Sequence, residues 1–252
     1  MSSSGTPVRA AFAGHALLVS NNRIETQQIV RAMQRFAFNV DVCPDLGSAS
    51  RLIAMRKFQA IVLDEGLDQR ISSLFDVIHS SPSNRSAVTF GVVGVNNRSG
   101  PQIYPNFLLH RPLTSALLAS TLKAAMGSII RDYRRYFRYP LRVQATIRIG
   151  DGPAIGCELI NISEGGVALG DCIPLELGHS VSCRFALPDT IGEFQVDAKV
   201  CWSDKRSHAG LHFDNISQEQ KRCLQTWLSK RIEDGFPEPI LQLFRKQPLN
   251  RI

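Results

Sequence analysis

The spacing of hydrophobic residues follows one pattern in the first half of the chain and another in the second half. Up to about residue 127, short apolar runs alternate with stretches that have helical spacing. The runs are typical of strands buried on both faces of a parallel sheet, and the stretches between them are typical of helices packed on it. This alternation predicts a doubly wound α/β domain over residues 14–127. We expect strands at 15–20, 39–43, 59–64, 87–95 and 107–109, and helices at 24–36, 48–58, 74–80 and 113–126.

After Pro140 apolar and polar residues alternate one by one, as in strands with a single buried face. Six such segments, separated by turn signals, predict a small antiparallel barrel or sandwich over residues 128–232, and helical spacing predicts a final helix at 218–232. The strands are expected at 143–149, 155–162, 166–169, 180–187, 194–202 and 209–213. The fold class is therefore α/β plus all-β. Residues 1–13 are expected to be disordered, and the tail 233–252 is either a short partner-binding segment or disordered.

The charge of the chain is unevenly distributed. Its formal net charge is +7, and the stretch Arg131–Arg148 alone carries six arginines against one acid. A basic surface attracts nucleotides, nucleic acid or anionic membranes. Because the excess is concentrated in one place, it favours a specific anionic ligand.

Other sequence features exclude several classes of protein. The six cysteines form no Cys-x-x-Cys pair, and most lie in apolar runs, which is typical of reduced core residues in a cytoplasmic protein. The start has no signal-peptide core, and no apolar run is long enough to span a membrane. Phosphate loops, nucleophile elbows and zinc helices are missing. We therefore expect no enzyme, no catalytic residue, no metal and no cofactor.

Two motifs near the start of the second domain carry the candidate chemistry. In the first, Arg131–Pro140, aromatic residues are interleaved with arginines, and Arg134 and Arg138 stand four positions apart. The planar fork of arginine fits phosphate oxygens and the guanine O6/N7 edge, and its flat face stacks on bases. Extended chain and helix both place these two arginines on one side, so the spacing leaves the conformation open. Pro140 predicts that any helix ends by Tyr139.

The second motif is the turn Asn161–Gly166, an Asn-x-Ser-x-x-Gly pattern between two predicted strands. The amide of Asn161 can both donate and accept hydrogen bonds, and Ser163 adds a hydroxyl. Gly165 and Gly166 allow the backbone to approach a ligand closely. A plain tight turn would use the same residue types.

The two motifs in this order, followed by barrel-like strands, resemble the PilZ domain, a small β-barrel that binds cyclic di-GMP. The resemblance covers about Arg131 to Arg231 and implies a six-stranded antiparallel barrel with a C-terminal helix. It also implies that a mobile arginine arm closes over the dinucleotide and changes how the two domains face each other. The implied ligand-binding residues are Arg134, Arg135, Arg138, Asn161, Ser163, Gly165 and Gly166. The alternatives are a nucleic-acid-binding regulator that uses the basic arm, which we favour less, and a PilZ-like adaptor without ligand.

The first domain resembles the receiver domain of two-component systems over about residues 15–127. Asp64, at the end of the third predicted strand, stands where that family carries its phosphoacceptor. The family's acidic pair is replaced by Ser20 and Asn21, and its lysine-proline by Arg111-Pro112. Because phosphoryl transfer to a carboxylate needs Mg²⁺, these replacements indicate a vestigial phosphoacceptor position and no metal site. We expect this domain to bind a protein partner.

Overall fold

A computed structural model describes residues 14–68, 70–94, 104–204, 206–236 and 240–241. The described residues form two compact units. The first holds the residues up to Tyr133 together with those from Gly235 onward, and the second is Arg134–Asp234. The disorder predicted for residues 1–13 lies outside the described residues, as does most of the tail 233–252.

The first unit is built on a five-stranded parallel sheet with strand order β2-β1-β3-β4-β5. This is the flavodoxin-like order of doubly wound sheets, in which ligands bind outside the carboxyl ends of the strands. The prediction of a doubly wound parallel sheet is confirmed. The strands are β1 Gly14–Val19, β2 Phe38–Cys43, β3 Ala60–Asp64, β4 Val88–Val93 and β5 Phe107–His110.

Polar residues fix the starts of the first two helices in this unit. The Asn22 side chain accepts a hydrogen bond from the Glu25 N–H, and the Asp45 side chain accepts one from the Ser48 N–H. Such caps satisfy backbone donors that have no partner inside the helix. The helices are α1 Arg23–Gln34, α2 Leu46–Met55, α3 Ser73–Ser80 and α4 Ser115–Tyr136.

One buried amide ties the end of α2 to the loop before β4. Asn84 is fully buried, and its Oδ1 accepts a hydrogen bond from the Phe58 N–H at 2.8 Å. Its Nδ2 donates to the carbonyls of Ile53 and Arg56, both at 2.7 Å. One buried side chain thus provides hydrogen bonds to three backbone groups.

Helix α4 is longer than predicted. We expected it over residues 113–126, and it reaches Tyr136. Ile129 and Ile130 are buried, so the added turns contribute to a core. Asp132 is buried too, where it pairs with Lys57 Nζ at 2.5 Å and accepts a hydrogen bond from Ser86 Oγ. Because residues 131–136 are mostly arginines and tyrosines, the sequence did not indicate that this side of the helix is buried.

The second unit is a closed antiparallel barrel of six strands in the order β10-β11-β8-β7-β6-β9. It confirms the all-β prediction and decides between barrel and sandwich. Buried and exposed residues alternate along β10, as expected for strands with one face in a core. The strands are β6 Tyr139–Ile149, β7 Ile155–Ser163, β8 Gly166–Gly170, β9 Ser180–Phe185, β10 Phe194–Ser203 and β11 Ala209–Asn215.

Helix α5, Gln218–Gly235, follows the barrel and buries Leu224, Trp227, Leu228 and Ile232. The Trp227 indole N–H donates to the Pro188 carbonyl at 2.6 Å, and its ring packs edge-on against Tyr139. Trp227 is therefore a core residue of this unit. Beyond α5, the side chains of Phe236 and Ile240 in the predicted tail are also buried.

Candidate functional site

A cleft of about 400 Å³ lies on the second unit and brings the two predicted motifs together. This volume falls within the range of small-molecule sites. Six of the seven residues predicted to bind the ligand line the cleft, namely Arg135, Arg138, Asn161, Ser163, Gly165 and Gly166. The two motifs are distant in sequence, so the folding of the barrel creates this proximity.

The pairing of β6 with β7 explains why the arginines lie beside the turn. Tyr139 is paired with Ile162, and Pro140 is paired with Asn161. Arg138 immediately precedes the first of these paired residues, so it lies next to the end of β7. Side chains that are opposite each other on neighbouring strands are close enough to contact the same small molecule.

The three arginines predicted to bind the ligand differ in position. Arg134 and Arg135 lie in the last turn of α4, whereas Arg138 follows the helix and its Nη1 donates to the Tyr136 carbonyl at 3.3 Å. Arg135 and Arg138 are exposed and line the cleft. Arg134 is not among the lining residues, and its Nε is buried without a hydrogen-bond partner in the described part of the chain. The helix ends before Tyr139, as Pro140 predicts.

The turn between β7 and β8 is held closed by its own residues. Ser163 is paired with Gly166, and its Oγ donates to the Gly166 carbonyl at 3.1 Å. The Phe213 N–H donates to the Gly165 carbonyl at 2.9 Å, which fastens the turn to β11. A β-carbon on Gly166 would lie 2.0 Å from the Leu211 carbonyl oxygen, so no larger residue fits there without moving backbone.

The floor of the cleft is a row of small residues across neighbouring strands. Gly210 on β11 is paired with Ala168 on β8, and Ala168 is paired with Asn161 on β7. Trp202 is paired with Gly210 at one end of the row, and Pro140 is paired with Asn161 at the other. Small side chains between larger ones leave a depression on a sheet surface. The cleft therefore follows from side-chain size along one row.

Two aromatic residues of the cleft were missed by the sequence analysis. Trp202 is 45% exposed, and its indole covers Gly210 so closely that a β-carbon there would lie 1.9 Å from the Trp202 Nε1. His212 is exposed, and its ring lies beside Gly165. The sequence feature that could have identified Trp202 is its position at the end of a predicted alternating strand, with a glycine on the following predicted strand.

The lining of the cleft favours anions. It contains two arginines and a histidine, and none of its residues is acidic. The remaining lining residues are small or apolar apart from Asn161, Ser163 and the exposed Cys201. Cationic groups near a flat indole and an amide match a ligand with both negative charge and aromatic rings.

In the first unit, Asp64 lies at the carboxyl end of β3, and its side chain is 3% exposed. Its Oδ2 accepts a hydrogen bond from Ser20 Oγ at 2.7 Å, and its Oδ1 accepts one from the Gly66 N–H at 3.0 Å. The Arg111 guanidinium contacts the same Oδ1 at 2.7 Å. Ser20 and Arg111 are thus brought to Asp64 as the resemblance implied.

The second unit is a closed six-stranded barrel with a basic arm, an Asn-x-Ser-x-x-Gly turn and a small-residue cleft between them. Residues 132–230 match the PilZ domain family, and this part of the chain is a PilZ domain. The resemblance inferred from the two motifs is confirmed. No curated protein matches the chain.

Among solved structures, the chain is similar to the Bacillus subtilis inhibitor of motility (MotI/DgrA), with 21% identity over 39% of this chain and 50% of that one and a TM-score of 0.34. It is similar to Escherichia coli YcgR in complex with c-di-GMP, with 22% identity, 38% and 45% coverage, and a TM-score of 0.34. It spans half or less of the length of either protein. The receiver domain of the Pseudomonas aeruginosa PAO1 sensor histidine kinase PA1611 shares 22% identity over 46% of this chain and 99% of that domain, with a TM-score of 0.41.

No helix in the described ranges is long and apolar enough to cross a membrane.

Proposed function

We propose that the chain is an effector that binds cyclic di-GMP in the cleft of its PilZ domain. The observation that carries the proposal is that the arginine arm and the Asn161–Gly166 turn, which are distant in sequence, line one cleft. The membership of residues 132–230 in the PilZ family supports the same ligand. PilZ domains are ligand-binding modules, so we propose no catalytic role.

The chemistry of the cleft suits the two kinds of group in the dinucleotide. Arg135 and Arg138 supply forked, permanently charged donors for phosphate oxygens and for the guanine O6/N7 edge. Asn161 and Ser163 supply neutral donors and acceptors in the same cleft. Gly165 and Gly166 carry no side chain, so the ligand can contact the backbone there.

Trp202 adds a flat surface to this site. Its indole is half-exposed and borders the same cleft as Arg138. Stacking of a base on an aromatic side chain contributes about 1–3 kcal/mol per base. We include Trp202 as a stacking residue for one guanine.

Arg134 completes the proposed arm. Its Nε is buried without a hydrogen-bond partner among the described residues, so a rotation toward the ligand breaks no bond at that atom. We propose that the dinucleotide stabilises the end of α4 and the residues up to Tyr139, and thereby changes the arrangement of the two domains, which a protein partner detects through the receiver-like unit. Equal hydrogen-exchange rates in this segment with and without the dinucleotide would contradict that part.

Calorimetry of the full chain with cyclic di-GMP tests the ligand. We expect sub-millimolar affinity, and Arg138→Ala should weaken it about tenfold or more, because charge-assisted hydrogen bonds to phosphate or guanine are lost. The matched control is Arg142→Ala, which removes the same charge from β6. Arg142 is 77% exposed, pairs with Glu158 and does not line the cleft. The control should bind like the wild type.

Two results would refute the proposal. The first is the absence of heat or of a change in tryptophan fluorescence when the folded wild type is titrated with the dinucleotide. The second is an equal loss of affinity in both variants, because it would indicate general attraction by positive charge. In that case duplex and single-stranded nucleic acids should bind with a steep salt dependence, as the alternative function predicts.

A further inference from the structure

A single arginine is paired with two acids at the carboxyl edge of the parallel sheet. Arg111 follows β5, and its Nε and Nη2 donate to the two carboxylate oxygens of Glu25 at 2.8 and 2.7 Å. The same Nη2 donates to Asp64 Oδ1 at 2.7 Å. The side chains are largely shielded, with 3% exposure for Asp64, 15% for Glu25 and 25% for Arg111. This is a compact, mostly buried triad.

The hydrogen bonds of the triad hold the arginine in its charged form. The bonds that Arg111 donates to Glu25, followed by the one to Asp64, raise the pKa of Arg111 above its ordinary value, although burial opposes this. A bidentate contact between a guanidinium and a carboxylate is a strong and geometrically specific interaction. Arg111 therefore supplies a positive charge at this position at every physiological pH.

The receiver-like fold implies a divalent cation beside Asp64, and the residues present do not fit one. Mg²⁺ requires several oxygen ligands in near-octahedral geometry. Both oxygens of Asp64 already accept hydrogen bonds, and both oxygens of Glu25 bind Arg111. Within the described ranges, no group of three or more His, Cys, Asp or Glu side chains could hold a metal ion.

We infer that Arg111 replaces the divalent cation as the built-in counter-ion of Asp64 and Glu25, so that this unit takes up no Mg²⁺ and no phosphoryl group at Asp64. Attack by Asp64 on a phosphoryl donor needs a free carboxylate oxygen and a metal that offsets the charge of the incoming phosphate. Neither requirement is met. The receiver-like unit is therefore not switched by phosphorylation of Asp64, and this inference is independent of what the PilZ domain binds.

The first experiment uses the wild-type chain. Thermal unfolding followed by far-ultraviolet circular dichroism is recorded with and without millimolar Mg²⁺, and the intact mass is measured after incubation with acetyl phosphate and Mg²⁺. We expect an unchanged midpoint and no added phosphoryl mass. A phosphoryl group that is lost in Asp64→Asn, or a Mg²⁺-dependent midpoint that Asp64→Asn removes, would overturn the inference.

The second experiment removes the counter-ion with Arg111→Gln. Two shielded carboxylates then repel each other, so the midpoint should fall on the order of 10 °C and rise again in part when Mg²⁺ is added. The matched control is Arg56→Gln, which breaks an exposed pair with Asp41 in the same unit and should show neither effect. An Arg111→Gln chain as stable as the wild type, or one that does not respond to Mg²⁺, would overturn the counter-ion role. If this variant does not fold, the wild-type measurements decide alone.

Discussion

The close approach of β8 and β11 at Gly166 provides a sharp test of how the cleft is built. A β-carbon at position 166 would lie 2.0 Å from the Leu211 carbonyl oxygen, 3.1 Å from the carbonyl carbon and 3.3 Å from the Cα of His212. All three atoms belong to backbone, so no side chain can rotate to relieve the contact. Gly166→Ala must push the two strands apart where Gly166 is paired with His212.

The expected cost follows from that displacement. Overpacking costs about 1–3 kcal/mol, and each weakened backbone hydrogen bond adds about 1 kcal/mol. We therefore expect Gly166→Ala to lower the free energy of unfolding of the barrel by about 3 kcal/mol. For a domain of this size the midpoint should fall by about 12–24 °C. Because the turn lines the cleft, the affinity for cyclic di-GMP should fall as well.

Tryptophan fluorescence is a selective assay for this effect. The chain has two tryptophans, Trp202 and Trp227, and both lie in the second unit. Thermal unfolding followed by this signal therefore reports on the barrel alone. The matched control is Gly156→Ala on β7, where a β-carbon would meet no atom within 4 Å. An unchanged midpoint in Gly166→Ala, or an equal fall in both variants, would refute the reasoning.

Two further predictions concern stability and thiol reactivity. Asn84→Ala should destabilise the first unit by about 3 kcal/mol, because three backbone groups lose their hydrogen bond to this side chain. Circular dichroism should show this loss, and an unchanged far-ultraviolet transition would contradict it. In alkylation at pH 8 followed by peptide mass spectrometry, the exposed Cys201 should react and Cys183 should not, since burial raises the pKa of Cys183 to about 12 and that of Cys157 to about 11. Cyclic di-GMP should slow the labelling of Cys201, and labelling of Cys183 as fast as that of Cys201 would refute the burial argument.

The sequence predicted most elements because hydrophobic periodicity is a strong local signal. The predicted strand ends differ from the observed ones by a few residues at most where both are described. Helix α4 was the main exception, because its last two turns combine buried Ile129 and Ile130 with a buried Asp132 among charged neighbours. The burial of Asp132 depends on Lys57 and Ser86, which are far away in sequence. No local pattern contains that information.

The site residues that belong to the two sequence motifs were predictable, and those outside the motifs were not. The two motifs supplied Arg138 and the turn, but the local spacing could not show that Arg135 rather than Arg134 lines the cleft. Trp202 was missed because its role depends on the size of its neighbour across the strand pair. Glu25 was missed because it looked like an ordinary first-turn acid of α1, and its contact with Arg111 connects distant parts of the chain.

The circular order of the six barrel strands limits how another protein can dock on this chain. Each strand of the barrel has hydrogen-bonded neighbours on both sides. A partner that extends a sheet with its own backbone needs an edge strand with free donors and acceptors. Within the described ranges, the parallel sheet has edge strands at β2 and β5. A partner of the barrel must therefore contact side chains and loops, whereas among the described strands only β2 and β5 lie at a sheet edge where a partner strand could pair.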